Sequence, residues 1–163
     1  MISSRKKMLL GLALLIACAV WIFSTPVRPT VAFKEELIYI SRGSQMWPYT
    51  VAIAETGEQQ RQGLMYRRHI DDNYGMLFIN KEPQIMNMWM KNTFIPLDML
   101  FLDRKGYIVN IIENATPDST DIITYDQPVA ALLELPAGAV KDKGIVTGDR
   151  VIHSRTMFRP RPK

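Results

Sequence analysis

From position 36 onward, apolar and polar residues alternate in short runs separated by turn residues, and this period of two constrains the chain more than any other feature. Successive side chains of a strand point to opposite faces, so the runs predict strands with at least one covered face. Eight are expected, near Leu37 to Ile40, Tyr49 to Ala54, Gly75 to Ile79, Ile85 to Met90, Leu97 to Leu102, Tyr107 to Ile112, Val129 to Leu135 and Arg150 to His153. Asp103-Arg104-Lys105-Gly106 joins two of them as a tight hairpin, because glycine accepts the positive φ that such a turn requires. Thr56 followed by Gln59 reads as a capping box opening one helix, Gly57 to about Tyr66, and a second short helical turn follows Pro136. Asn114 to Gln127 contains Pro117 and little periodicity, so it reads as a long surface loop. Eight short strands with one or two short helices predict a mainly β fold, a compact antiparallel sandwich or jelly-roll-like barrel.

The alternation starts late because the N-terminus has a different pattern. Arg5-Lys6-Lys7 precedes an uncharged apolar run from Met8 to Phe23, followed by Pro26 and Pro29. This is the layout of a secretory signal. Sixteen helical residues span about 24 Å, short of a bilayer core but extendable, so an uncleaved anchor is a second reading. Leu15-Ile16-Ala17-Cys18 also has the form of a lipobox, which would acylate Cys18. All three readings place the chain outside the cytoplasm, as does the positive-inside rule. The expected organisation is residues 1–32 as signal or anchor, 33–153 as the β domain and 154–163 as a basic tail.

Charge follows the same division. The four basic residues Arg5, Lys6, Lys7 and Arg28 account for the whole net charge of +4, while residues 33–149 hold 11 basic and 16 acidic side chains. Basicity is therefore terminal, and no nucleic-acid partner is expected. Arg155, Arg159, Arg161 and Lys163, interrupted by Pro160 and Pro162, read as a solvated tail, with weak contact to anionic lipid as the alternative. Cys18 is the lone cysteine, so the β domain has no disulfide, thiolate metal cluster or cysteine nucleophile. No glycine-rich nucleotide loop is present, His69 and His153 offer no paired spacing and read as surface or loop residues, and no cofactor is implied.

The stretch Met86 to Asp98 carries the candidate site. In a strand, Met86, Met88 and Met90 share one face, and Asn87, Trp89 and Lys91 share the other. The methionines read as adaptable core filler, with a thioether Cu(I) site as the sharper alternative. Trp89, Lys91, Asn92 and Thr93 group an aromatic platform, a cation and polar side chains, the mixture that ligand pockets use, although Asn92 and Thr93 also suit a turn before Pro96. Asp98 and Glu134 lie in otherwise apolar strands, and a buried unpaired carboxylate is costly, so each needs a partner. Lys91, Arg61, Asn92 or Thr93 could supply one for Asp98. Two such carboxylates serve either a buried structural role or general acid and base chemistry.

Taken together, Thr56, Glu58, Arg61, Gly63-Leu64-Met65, Arg67, Gly75-Met76-Leu77-Phe78, Trp89-Met90-Lys91-Asn92-Thr93, Pro96-Leu97-Asp98, Phe101, Glu134-Leu135-Pro136-Ala137-Gly138 and Gly148-Asp149 give a chain that resembles the DUF192 family over about residues 50–153. The resemblance implies a compact β-rich, jelly-roll-like sandwich in bacterial and archaeal proteins that are often exported, and it implies no established biochemistry. Arg61, Arg67, Trp89, Lys91, Asn92, Thr93, Asp98 and Glu134 match its polar or aromatic positions, while Gln60 and Met88 depart mildly from its pattern. The leading expectation is a non-catalytic envelope module. Its pocket is expected to be built by Arg61, Trp89, Lys91, Asn92, Thr93, Asp98 and Glu134, with a glycan as the first ligand to try. The alternatives are a hydrolase using Asp98 with Glu134, a copper site at Met86, Met88 and Met90, and a purely structural module.

Overall fold

The computed structural model describes residues 31–153. The signal or anchor expected over 1–32 falls almost wholly outside the described residues, as does the basic tail 154–163. Among the described residues no helix is long and apolar enough to cross a membrane.

The chain is mainly β. Seven strands form one sheet: β1 (Lys34–Arg42), β2 (Gln45–Ala54), β3 (Tyr74–Gln84), β5 (Leu97–Leu102), β6 (Ile108–Ala115), β8 (Val129–Pro136) and β9 (Arg150–His153). The remaining strands, β4 (Asn87–Met88) and β7 (Ile123–Thr124), pair with each other. The order across the main sheet is β6-β5-β8-β3-β2-β1-β9. It curls so far that the two edges touch: Tyr107 bridges Arg150, and the Ile108 and Val151 amides donate to the Asp149 and Gly106 carbonyls at 2.9 and 2.8 Å. Of the two forms expected, a sandwich or a barrel, the structure has one curled sheet, a half-barrel that turns its own concave face into a core.

Pairing also departs from a fully antiparallel pattern, because β2 and β3 run parallel, from Thr50 opposite Tyr74 to Ala54 opposite Phe78. Parallel neighbours need a crossover, and residues 55–73 supply it. That connection opens with α1 (Gly57–Gln62), whose capping box is present as expected. Thr56 Oγ1 accepts from the Gln59 amide at 3.2 Å, and Gln59 Oε1 accepts from the Thr56 amide at 3.0 Å. The helix ends four residues earlier than expected, since Gly63 takes φ 48° and breaks the helical path. The second helix, α2 (Ala139–Lys143), follows Pro136 as expected. The hairpin after β5 also forms, with Asp103 Oδ1 accepting from the Lys105 and Tyr107 amides at 2.7 and 2.9 Å.

Both faces of the sheet are covered, which explains why β5 is buried at all six positions. The concave face packs Ile38, Ile40, Tyr49, Val51, Leu77, Leu100, Leu133 and Leu135 against Val140 and Ile145. On the convex face, Met76, Phe78, Met99, Phe101 and Leu132 pack under residues of the connecting segments, including Leu64, Ile70, Met86 and Met90. A loop was expected over 114–127, and most of it is one, but β6 runs on to Ala115 and Ile123–Thr124 forms β7 against Asn87–Met88. His153, expected at the surface, is buried, with Nε2 2.5 Å from Glu36 Oε2.

Candidate functional site

A hollow of about 60 Å³ opens on the convex face between α1, the turn that follows it, and the segment from Asn87 to Thr93. Its floor holds Leu64, Phe78, Thr93 and Glu134, and its rim Gln60, Arg61, Asn87 and Trp89.

Glu134 reaches the floor through strand register. It lies opposite Met76 of β3 and Met99 of β5, both of which belong to the convex-face core, so its side chain leaves the sheet on that side. The backbone beneath it is unusually close to β3: a Cβ at Gly75 would stand 2.4 Å from the Glu134 carbonyl oxygen, so only glycine allows this approach. The side chain is 4% exposed, and no described residue donates a hydrogen bond to its carboxyl. Burial alone pushes its pKa up to about 8, so the group is protonated over most of the neutral range. A protonated carboxyl offers a donor as well as an acceptor.

Thr93 comes from a tight turn that its own backbone closes. The Thr93 amide donates to the Met90 carbonyl at 2.9 Å, and Asn92 adopts φ 58°, a conformation asparagine tolerates better than most side chains. The turn is stitched to its neighbours: the Asn92 amide donates to Asp118 Oδ1 at 3.0 Å, the Tyr66 amide to the Asn92 carbonyl at 2.8 Å, and the Asp118 amide to the Thr93 carbonyl at 3.0 Å. Thr93 itself is buried, and no described side chain or carbonyl pairs with its hydroxyl. Two largely buried residues, Thr93 and Glu134, thus line the same hollow, and among the described residues neither the hydroxyl nor the carboxyl has a hydrogen-bond partner.

Trp89 stands at the mouth with 46% of its surface exposed, and Lys91 Nζ lies 5.8 Å from its ring centroid. The alternation expected from Met86 to Lys91 holds although the strand is only two residues long. Asn87, Trp89 and Lys91 face outward, Met86 and Met90 are buried, and Met88 is half-buried against the same core. Packing accounts for Met86 and Met90, while Met88 also lines the hollow. Among the described residues no three His, Cys, Asp or Glu side chains converge as a metal site.

Asp98 does not join this site. It pairs with Leu135, on the concave side, whereas Glu134 belongs to the convex side, so the sheet separates the two carboxyls. The partners expected for Asp98 among Arg61, Lys91, Asn92 and Thr93 are replaced by backbone amides. Asn114 donates to Oδ1 at 2.9 Å, and Gly138 and Val140 donate to Oδ2 at 3.0 Å each. Three N–H donors saturate the buried carboxylate and tie β5 to the end of β6 and the start of α2. The hydrolase reading, which needs both carboxyls across one cleft, loses its geometry. Lys91 and Asn92 also fall outside the lining: Lys91 lies over the indole, and Asn92 serves the turn. Of the expected set, Arg61, Trp89, Thr93 and Glu134 converge on the hollow. The residues missed were Gln60, Gln62 and Asn87, whose polarity reads as ordinary surface until the crossover folds α1 against β4.

The family DUF192, described as "Uncharacterized ACR", matches residues 38–153. A Sinorhizobium meliloti protein crystallised as a candidate transcription regulator is 44% identical, with a TM-score of 0.74, and the alignment covers 76% of this chain and 97% of that one. A protein of unknown function from Novosphingobium aromaticivorans is 31% identical, with a TM-score of 0.72, over 77% of this chain and 89% of that one. No curated protein matches the chain.

Proposed function

Because the chain belongs to the DUF192 family, whose description assigns no activity, we propose from its own residues that it is a binding module for a small polar ligand of the cell envelope, with a glycan as the first class to test. The observation that carries the reading is that Thr93 and Glu134, which have no side-chain partner among the described residues, line the floor of an open hollow beside an exposed indole. Polar groups that open onto such a hollow are free to exchange water for the donors and acceptors of a ligand. A hollow of about 60 Å³ has room for a few water molecules or one small substituent, such as a hydroxymethyl or acetamido group. The rest of a sugar ring would lie on Trp89. Arg61 at the rim supplies charge. The envelope location rests on Arg5-Lys6-Lys7 and the apolar run Met8 to Phe23, and the regulator role ascribed to the Sinorhizobium protein finds no support in the charge of residues 33–149.

Calorimetry on the full chain with peptidoglycan fragments and a panel of oligosaccharides tests the reading. Saturable binding that weakens in both Trp89→Ala and Thr93→Val supports it. Absence of heat, together with an unchanged melting temperature across the panel, overturns it.

A further inference from the structure

The two segments that frame the hollow are charged differently from the rest of the domain. Residues 59–70 and 85–97 contain four of the eleven basic residues found between positions 33 and 149 and none of the sixteen acidic ones. Two of these cations lie over exposed rings, and a third, Arg67, over the half-buried Tyr74. Lys91 Nζ lies 5.8 Å from the Trp89 centroid, and Arg68 Cζ lies 5.4 Å from that of Phe94. Tyr66 meets Phe94 edge to face at 6.3 Å, which makes a second aromatic station beside the first. Trp89, Phe94 and Tyr66 are 46%, 42% and 54% exposed. Arg61 adds a further cation at the mouth. Asp118 reaches this region from a neighbouring loop, but its Oδ1 accepts from the Asn92 amide.

Exposed rings alone would suit any apolar partner. Two rings that each carry a cation, Trp89 and Phe94, on an otherwise acidic domain, select for a ligand with flat, weakly polar faces and negative charge at its edges. We infer that the ligand is an acidic oligosaccharide, whose sugar faces stack on Trp89 and Phe94 while its carboxylates engage Arg61, Arg68 and Lys91. This rests on the glycan-binding reading and narrows it: the hollow takes one substituent, and the collar of rings and cations reads the charge of the following residues. A single-stranded nucleic acid shares the pattern of stacking faces and negative charge, but the acidic balance of the surrounding domain disfavours a long polyanion.

The test is calorimetry on the full chain with three probes: a tetramer of galacturonic acid, a neutral tetramer of glucose and a ten-residue oligothymidylate. The acidic tetramer is expected to bind about tenfold more tightly than the neutral one at low salt and to lose most of that advantage near 1 M salt. Arg68→Gln and Lys91→Gln should shrink the difference between the two tetramers and its salt dependence. Equal affinity for the two tetramers overturns the charge selectivity and leaves the glycan reading standing. Binding of neither tetramer overturns the inference, with the glycan reading then decided by the wider panel, and tighter binding of the oligothymidylate than of either sugar overturns the inference in favour of nucleic acid.

Discussion

Asp98 and Glu134 lie on adjacent strands, one register step apart, and both are buried, yet the fold treats them in opposite ways. Asp98 faces the concave core and takes three amide donors. Glu134 faces the convex core, meets no described donor and has its pKa pushed up to about 8. Burial alone therefore does not tell a structural carboxyl from an available one, and the supply of donors does. Near Asp98 the chain provides loose backbone amides, at the β6 end and at the start of α2. Near Glu134 the flanking backbone is already paired in the sheet, and the neighbouring side chains are largely apolar.

The comparison breaks most visibly at Asp98. Asp98→Ala would orphan three N–H groups, one buried and two half-buried, and is expected to cost about 4 kcal/mol, measured by urea denaturation. A loss under about 1 kcal/mol would mean that the amides find other partners and that the contrast is false.

The opposite behaviour is expected of Glu134→Gln. The folded-state pKa of about 8 lies above the ordinary 4.5, so the folded form holds a proton that the unfolded chain releases. Wild-type stability is then fullest below about pH 4.5 and falls as pH rises toward 8. Glutamine removes this dependence, so the variant should match wild type near pH 4 and exceed it by roughly 4 kcal/mol near pH 8. Parallel stability profiles for the two proteins would contradict the account.

Gly75→Ala probes what positions Glu134. The added methyl would meet the Glu134 carbonyl oxygen at 2.4 Å and Leu135 Cδ2 at 2.9 Å, and parting β3 from β8 should cost about 2 kcal/mol, read as a lower melting temperature. The smallest effect on stability belongs to Trp89→Ala. A half-exposed ring at the mouth should change stability by less than about 1 kcal/mol, while ligand binding is lost. A large loss of stability would make the indole a brace and not a platform.

These contrasts also mark how far the sequence could be read. Alternation located the strands, and it placed Glu134 with Leu132 on the face away from Leu133 and Leu135, as observed. It could not relate Asp98 to Glu134, because faces are comparable between strands only once register is known, and register depends on pairings distant in sequence. The donors to Asp98 were invisible for a related reason: every residue type except proline carries an amide. The parallel pairing of β2 with β3 did leave a trace, since residues 55–73 are too long for a hairpin and include a helix, as crossovers do. At Asn92 the turn alternative was legible in the residue type itself, and the structure uses the residue that way. Gln60 gave no comparable signal. Its amide donates to the Ile79 carbonyl at 3.0 Å, a contact set entirely by the packing of α1.

The central claim is that Glu134, largely buried and with no donor among the described residues, is held ready at the floor of the hollow. Titration of its side-chain carbonyl carbon by NMR in the ligand-free full chain tests this most directly. The account predicts a midpoint near 8 that disappears in Glu134→Gln. A midpoint near 4.5 would contradict it, because the carboxyl would then be hydrated or already satisfied by a donor.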